Sequence, residues 1–428
     1  MKRLILLLLI CFGLGAPASA QPQAGSALRG RAEQVVALLR GEGDPAALFT
    51  AEFLAQVPPA QLRTILQQIV AQYGAVHGLD RLDAASPQSG VMHVGLERGT
   101  LDIQIAVEPQ PPNRISGLLV TGAQMRSDSL AAIVEEIRAL PGRKSIAIAR
   151  LGEGAPQLLA SLDPERPLAI GSAFKLFILA ELSRQIAAGQ RHWSDVVALD
   201  RHSIPSGSLQ NWPLGAPLTL HTLAALMISV SDNTAADTLL HVLGREHVEQ
   251  MMTVIGVADP ARNRPLLSTL EAAAIKTGPA PALNAWLQAD EAGRRRLLAS
   301  DYAQVDAAGI DLARFTGNPL HLELEWYASA ADLVRVMDWL RRNADDTARA
   351  ILGINTGLGP QLRGEFAYIG YKGGSEPGVL NLTWLVRNRA GAWQVITGSW
   401  NNPDAPLEEQ RFIGLMARAV GLARAAND

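Results

Sequence analysis

The chain has 428 residues, 48% of them hydrophobic and 18% charged, with a formal net charge of −3. That length allows two or more domains and that composition a sizeable core. Together they exclude a globally disordered chain, and the charge excludes a basic field for nucleic acid. Lysine is scarce, confined to Lys2, Lys144, Lys175, Lys276 and Lys372, so each one is worth placing individually.

The N-terminus reads as an export signal. Lys2 and Arg3 precede an apolar run, Leu4 to Leu14, too short to span a bilayer, and Ala18-Ser19-Ala20 is a small-residue cleavage pattern. Residues 1–20 are therefore expected to be a signal peptide, with a mature start at Gln21. Cys11, the only cysteine, leaves with it, so the mature chain is expected to have no disulfide and no thiol chemistry. Loss of Lys2 and Arg3 also makes the chain more acidic. The expectation is a periplasmic or secreted protein with no stable membrane span, monomeric, with no metal or other cofactor.

Residues 21–124 are expected to form a small α+β domain. Ala27 to Leu39 has helical apolar spacing, and Ala46 to Val57 and Pro59 to Tyr73 read as helices broken by Pro58-Pro59. Alternating runs follow at Val91–Leu96, Leu101–Val107 and Ile115–Thr121, with a break at Pro109, Pro111 and Pro112. Helices followed by strands suggest a sheet with helices on one face. This pattern resembles nuclear-transport-factor-like or cystatin-like units. No catalytic constellation falls within it.

Residues 125–428 read differently. Ser129–Leu140 suggests a helix, Ser145–Arg150 a strand and Leu158–Leu162 its hairpin partner. Helices are expected at Ala173–Ile186, Leu220–Ser229, Thr234–Leu243 and Arg245–Ile255. Strands are expected at Phe366–Tyr371, Val379–Arg387 and Trp393–Thr397, before a closing helix, Leu407–Ala425. The order implies an antiparallel sheet covered by helices, again α+β.

Three short motifs carry the chemistry. Ser172-Ala173-Phe174-Lys175 is the only Ser-x-x-Lys in the chain. A serine at a helix start meets free N–H groups and the positive end of the helix dipole. A lysine three residues on shares its face and, if desolvated, can accept the serine proton. Ser231-Asp232-Asn233 lies between two helical stretches, where a second hydroxyl can relay a proton and an amide can face substrate. Lys372-Gly373-Gly374-Ser375 directly follows an expected strand. Its lysine can attract a carboxylate, its glycines admit a close backbone, and the Ser375 N–H can join that of Ser172 as an oxyanion hole. Taken singly, the first two motifs also fit helix caps and the third a glycine turn.

In this order the set resembles the Ser-x-x-Lys, Ser-Asp-Asn and Lys-Thr-Gly signature of class A β-lactamases and penicillin-binding proteins. The resemblance covers roughly residues 125–428 and implies a β-lactamase/transpeptidase-like domain with a helical subdomain. It implies Ser172 as nucleophile, Lys175 as activating amine and Ser231 as proton relay. Asn233 would anchor substrate, Lys372 would bind its carboxylate, and Gly374 and Ser375 would line the acyl site. The loop Pro205–Gln210 and Trp212 would sit at the rim.

Two departures stand out. A literal Lys276-Thr277-Gly278 follows a helical stretch, with no strand on either side, and is set aside as the third motif. The chosen motif has Gly373 where the family carries a hydroxyl, a loss of about 1–3 kcal/mol toward a bound carboxylate. The family's deacylating glutamate is also missing from its Glu-x-x-x-Asn context. Glu271 is the nearest candidate, with Glu323 and Glu325 as alternatives, and residues 278–326 read as an insertion. The leading expectation is β-lactam hydrolysis, slow where no carboxylate is positioned for deacylation. A D-alanyl carboxypeptidase or esterase shares the acylation step, and a non-catalytic binding protein of this fold is the third reading. No zinc-binding histidine cluster, nucleophile elbow or phosphate loop is present in the sequence.

Overall fold

The computed structural model describes residues 25–125 and 128–424. The expected signal peptide lies outside them. The described residues divide into two compact units, 25–125 and 128–424.

In the first unit, the helix Ser26–Leu39 presents Leu28, Ala32, Val35, Val36 and Leu39 on one stripe, the spacing of an amphipathic helix. They pack on a four-stranded antiparallel meander of β1 (Val76–Ser86), β2 (Ser89–Leu96), β3 (Gly99–Val107) and β4 (Ile115–Met125). Inward residues alternate along it, as in Met92, Val94 and Leu96, then Leu101, Ile103, Ile105 and Val107. The edge strand β1 was not expected: only Leu82 in it is buried, so its sequence shows no alternation. The single helix expected at Ala46–Val57 is two short ones, Pro45–Leu48 and Ala51–Gln56. Thr50 between them is extended, caps the second through its side chain, and donates its N–H to Ile115 O at 3.0 Å.

The second unit is an α+β fold. Its strands are β5 (Arg143–Leu151), β6 (Gln157–Leu162), β7 (Leu168–Ala169), β8 (Val196–Ala198), β9 (Pro217–Thr219), β10 (Tyr327–Ala328), β11 (Phe366–Glu376), β12 (Val379–Asn388) and β13 (Trp393–Asn401). Five of them form one antiparallel sheet in the order β11-β12-β13-β5-β6. Helices Leu130–Arg138 and Glu409–Ala423 pack on one face through Ile133, Ile137, Phe412 and Met416. The other face meets a helical layer built around Lys175–Ala187 and Ala330–Asn343. Both faces being covered, β12 and β13 are almost continuously buried rather than alternating.

One expectation needs correction here. The Lys372-Gly373-Gly374 segment does not follow the strand; β11 continues through it, pairing Gly373 with Leu382 and Gly374 with Asn381. The residues read as an insertion are largely helical, at Ala280–Gln288 and Glu291–Ser300, followed by single turns as far as Leu324. No helix among the described residues is long and apolar enough to cross a membrane.

Candidate active site

Ser172 lies in a tight turn, Gly171–Phe174, that runs straight into the helix Lys175–Ala187. Gly171 has φ +48°, a conformation that favours glycine. The turn is braced from behind. The Asn401 side-chain amide hydrogen-bonds both backbone groups of Ala169, at 2.8 and 2.9 Å, and Ile170 N–H donates to Trp326 O at 2.9 Å. The Trp326 ring stacks on Phe174 with centroids 4.1 Å apart. From the other side comes β11, an edge strand whose outer backbone groups have no strand partner. A Cβ on Gly374 would collide with Ile170 O and Ser172 N, and one on Gly171 would lie 3.3 Å from Ser375 N. Glycine at both positions thus lets the Ser172 turn and the Ser375 backbone close on one another. The Ser172 hydroxyl makes no hydrogen bond among the described residues.

Lys175 is completely buried. Its Nζ donates to Asn233 Oδ1 at 2.7 Å, to Ser231 O at 2.7 Å and to Ser231 Oγ at 3.2 Å. Burial drives the amine down to a pKa of about 7, against the opposing pull of Asp237 and Asp232. A large neutral fraction therefore exists near neutral pH, which an ordinary surface lysine lacks.

The second motif is a kink. Ser231 has φ +59°, and Asp232 then caps the helix Asn233–Leu243 by accepting from Ala235 N–H. Its other carboxylate oxygen accepts from the N–H groups of Ser208 and Leu209 at 2.6 and 2.9 Å, tying in the loop Pro205–Gln210. Asn233 spends its amide inside the protein, with Oδ1 on Lys175 and Nδ2 donating to Ile204 O at 2.9 Å. Its placement is that of a holder for Lys175. Trp212 is exposed.

Lys372, on β11, is buried and donates to Ser231 Oγ at 3.0 Å. Burial, reinforced by the nearby Lys175, pushes its amine well below the ordinary lysine range. Members of all three motifs are thus linked by hydrogen bonds through Ser231, with Ser172 one turn from Lys175 and its backbone against Gly374. Sequence reasoning missed Asn401 and Trp326, which brace the Ser172 turn, and the buried Asp237, whose charge acts on Lys175 and whose carboxylate accepts from the N–H groups of Thr269 and Leu270. Asp237 lies one helical turn beyond Asn233, a spacing that could have drawn attention to it.

The carboxylates considered for deacylation are committed elsewhere. Glu271 closes a capping box with Ser268 and forms a two-point ion pair with Arg245, at 2.7 and 2.9 Å. Glu323 is half exposed beside His321. Glu325 pairs with Lys276, which also donates to Glu376 Oε1 at 2.5 Å. The literal Lys276-Thr277-Gly278 therefore ends a helix, and its lysine serves a buried charge cluster. Burial alone would lower that lysine, but Glu325 and Glu376 more than offset it and raise it. Among the described residues no cluster of His, Cys, Asp or Glu could hold a metal ion.

Comparison with known proteins agrees with this frame. A family model described as the beta-lactamase enzyme family matches residues 126–420. Among solved structures, a β-lactamase from Sphaerobacter thermophilus is similar at 22% identity, covering 68% of this chain and 97% of that one with a TM-score of 0.47. A β-lactamase from Chitinophaga pinensis is similar at 18% identity, covering 69% and 98%, TM-score 0.47. A structure of PBP-A gives 17%, 68% and 94%, TM-score 0.46. No curated protein matches the chain.

Proposed function

Because the chain belongs to the beta-lactamase enzyme family, we propose that it is a serine hydrolase that forms an acyl-enzyme at Ser172, with β-lactams as its substrates and slow release of the product. The observation that carries this reading is the buried Lys175 amine, one turn from Ser172 and shifted to about 7. Neutral Lys175 accepts the Ser172 proton as Oγ attacks the lactam carbonyl carbon. The Ser172 and Ser375 N–H groups receive the developing oxyanion. As the lactam C–N bond breaks, Ser231 Oγ gives its proton to the nitrogen and is resupplied by Lys175, 3.2 Å away. Lys372 draws in the substrate carboxylate, Gly374 lets the acyl group lie close to β11, and Asn233 keeps Lys175 in place.

Slow release follows from the engagement of Glu271 and Glu325 in ion pairs. The same observation favours one second reading, a D-alanyl carboxypeptidase or esterase that deacylates onto another acceptor. The export signal at residues 1–20 belongs to this proposal, and places the enzyme in the periplasm or outside the cell. So does a separate α+β domain over residues 21–124.

The test is to incubate the protein with a chromogenic cephalosporin and follow colour and intact mass together. A mass adduct that forms quickly, persists, and disappears in Ser172→Ala supports the proposal. Ester hydrolysis without any β-lactam adduct supports the second reading. No adduct with any acyl donor overturns both.

A further inference from the structure

Strand β11 has no room for a side chain at position 373. A Cβ built there would collide with the hydroxyl oxygen of Tyr371 and lie 3.0 Å from Asn381 O. Residues 371 and 373 point to the same face of the strand, and strand side chains lean along its direction. The Tyr371 phenol thus reaches past its own position and sets its oxygen where the side chain of residue 373 would begin.

The ring has little freedom to move away. Tyr371 stands opposite Trp384 in the β11–β12 ladder, with ring centroids 5.0 Å apart. Trp384 is buried and its indole N–H is held by Thr356 O at 2.9 Å. Gly357 closes the other side, where a Cβ would lie 2.7 Å from the Tyr371 ring. Burial pushes the phenol up to about 12, so it stays protonated at any working pH. Its hydroxyl has no hydrogen-bond partner among the described residues. A phenylalanine would fill the slot between Trp384 and Gly357 equally well, so packing does not account for the hydroxyl.

We propose that Tyr371 is a substrate-binding residue whose hydroxyl stands in for the one Gly373 lacks, donating a hydrogen bond to the substrate carboxylate beside Lys372. The proposal rests on the acyl-enzyme reading, and it removes the deficit that the bare sequence implies at position 373. It also explains the glycine: a threonine at 373 and a tyrosine at 371 would compete for the same space.

The experiment compares benzylpenicillin with its methyl ester, which lacks the free carboxylate. Acylation rates are read from intact mass over a concentration series. Tyr371→Phe is expected to slow acylation by the free acid about tenfold to a hundredfold, the loss of one hydrogen bond to a charged group, and to leave the ester unchanged. Equal loss for acid and ester, or no loss for the acid, overturns the proposal. Binding of the acid to Ser172→Ala protein, with and without Tyr371→Phe, is measured by calorimetry in parallel. If the wild type forms no adduct yet the acid binds and Tyr371→Phe weakens it, the acylation reading fails and the carboxylate site stands. If there is neither adduct nor binding, the site is overturned as well.

Discussion

Lys372 donates to the hydroxyl oxygen of Ser231 at 3.0 Å, and Lys175 reaches that oxygen from the other side at 3.2 Å. One hydroxyl is thus held between two buried amines. Each amine is pushed below its ordinary range, and Lys372 feels the charge of Lys175 in addition. The pair resists double protonation, so the site is poised to take up one proton and pass it on.

The first consequence is a pH profile. The Lys175 amine loses its proton as pH rises through about 7. Acylation measured by intact mass between pH 5 and 9 is therefore expected to rise and level off, with a midpoint near 7. Stability shows the same group with a definite sign. Between pH 7 and the ordinary lysine value the folded state holds fewer protons than the unfolded one, so the contribution of Lys175 improves as pH rises and is poorest below 7. Lys175→Met should accordingly gain stability over wild type at pH 6 and lose that advantage by pH 10. A profile flat across pH 7 contradicts the assigned role.

Ser231 combines a left-handed backbone with the bridging hydroxyl. Ser231→Gly keeps the backbone relaxed and removes the oxygen, while Ser231→Ala removes the oxygen and keeps the strain. Both are expected to slow acylation by about a hundredfold or more, the scale of a lost proton-transfer group. In urea denaturation the alanine variant should be less stable than the glycine variant by about 1 kcal/mol. Full acylation activity in either variant would remove Ser231 from the relay.

Glu271 holds Arg245 and its own helix cap, and no contact ties it to Lys175. Glu271→Gln is expected to cost roughly 3 kcal/mol of stability, because a mostly buried guanidinium loses its carboxylate. The decay rate of the acyl adduct should be unchanged. An adduct that persists far longer in this variant would identify Glu271 as the deacylating base after all.

The cluster of Lys276, Glu325 and Glu376 contains two carboxyls and one amine. Lys276→Met leaves both carboxyls without their cation and is expected to cost about 3–5 kcal/mol. Burial and the Glu325 charge hold the Glu376 carboxyl well above the ordinary range. A carboxyl raised in the folded state stabilises it fully below its unfolded value and loses that contribution as pH rises through the folded one. Wild type should therefore lose stability between pH 5 and 9 relative to Glu376→Gln. Parallel pH slopes for the two proteins would rule this out.

Much of this was legible in the sequence, for identifiable reasons. Ser172, Lys175, Ser231 and Lys372 could be chosen because three short motifs, each also readable as a cap or a turn, stand in the order of the family signature they resemble. The sheet strands β12 and β13 announce themselves through clusters of apolar and β-branched residues, Leu382 to Val386 and Val395 to Thr397. What escaped depends on contacts far apart in the chain. The polar edge strand β1 has a single buried residue, so nothing in its sequence marks it as a strand. Glycines at 373 and 374 read as a turn until the neighbouring backbone and Tyr371 show why only glycine fits. The amide that holds Lys175, and the carboxyls that hold Lys276, lie tens of residues or more away from their partners.

The residues between Gly278 and Leu324 begin and end on fixed posts. Lys276 is tied to Glu376 at the end of β11, and Glu325 precedes the tryptophan that braces the Ser172 turn. Between these posts its two helices bury Leu283, Trp286 and Leu298 in the core, and Arg295 pairs with the buried Glu249, so only the turns that follow them stand clear of the packed body. A designer who wished to graft a new segment onto this protein could exchange residues 303–320, none of which is buried, provided the graft returned the chain to Glu325 in the same place.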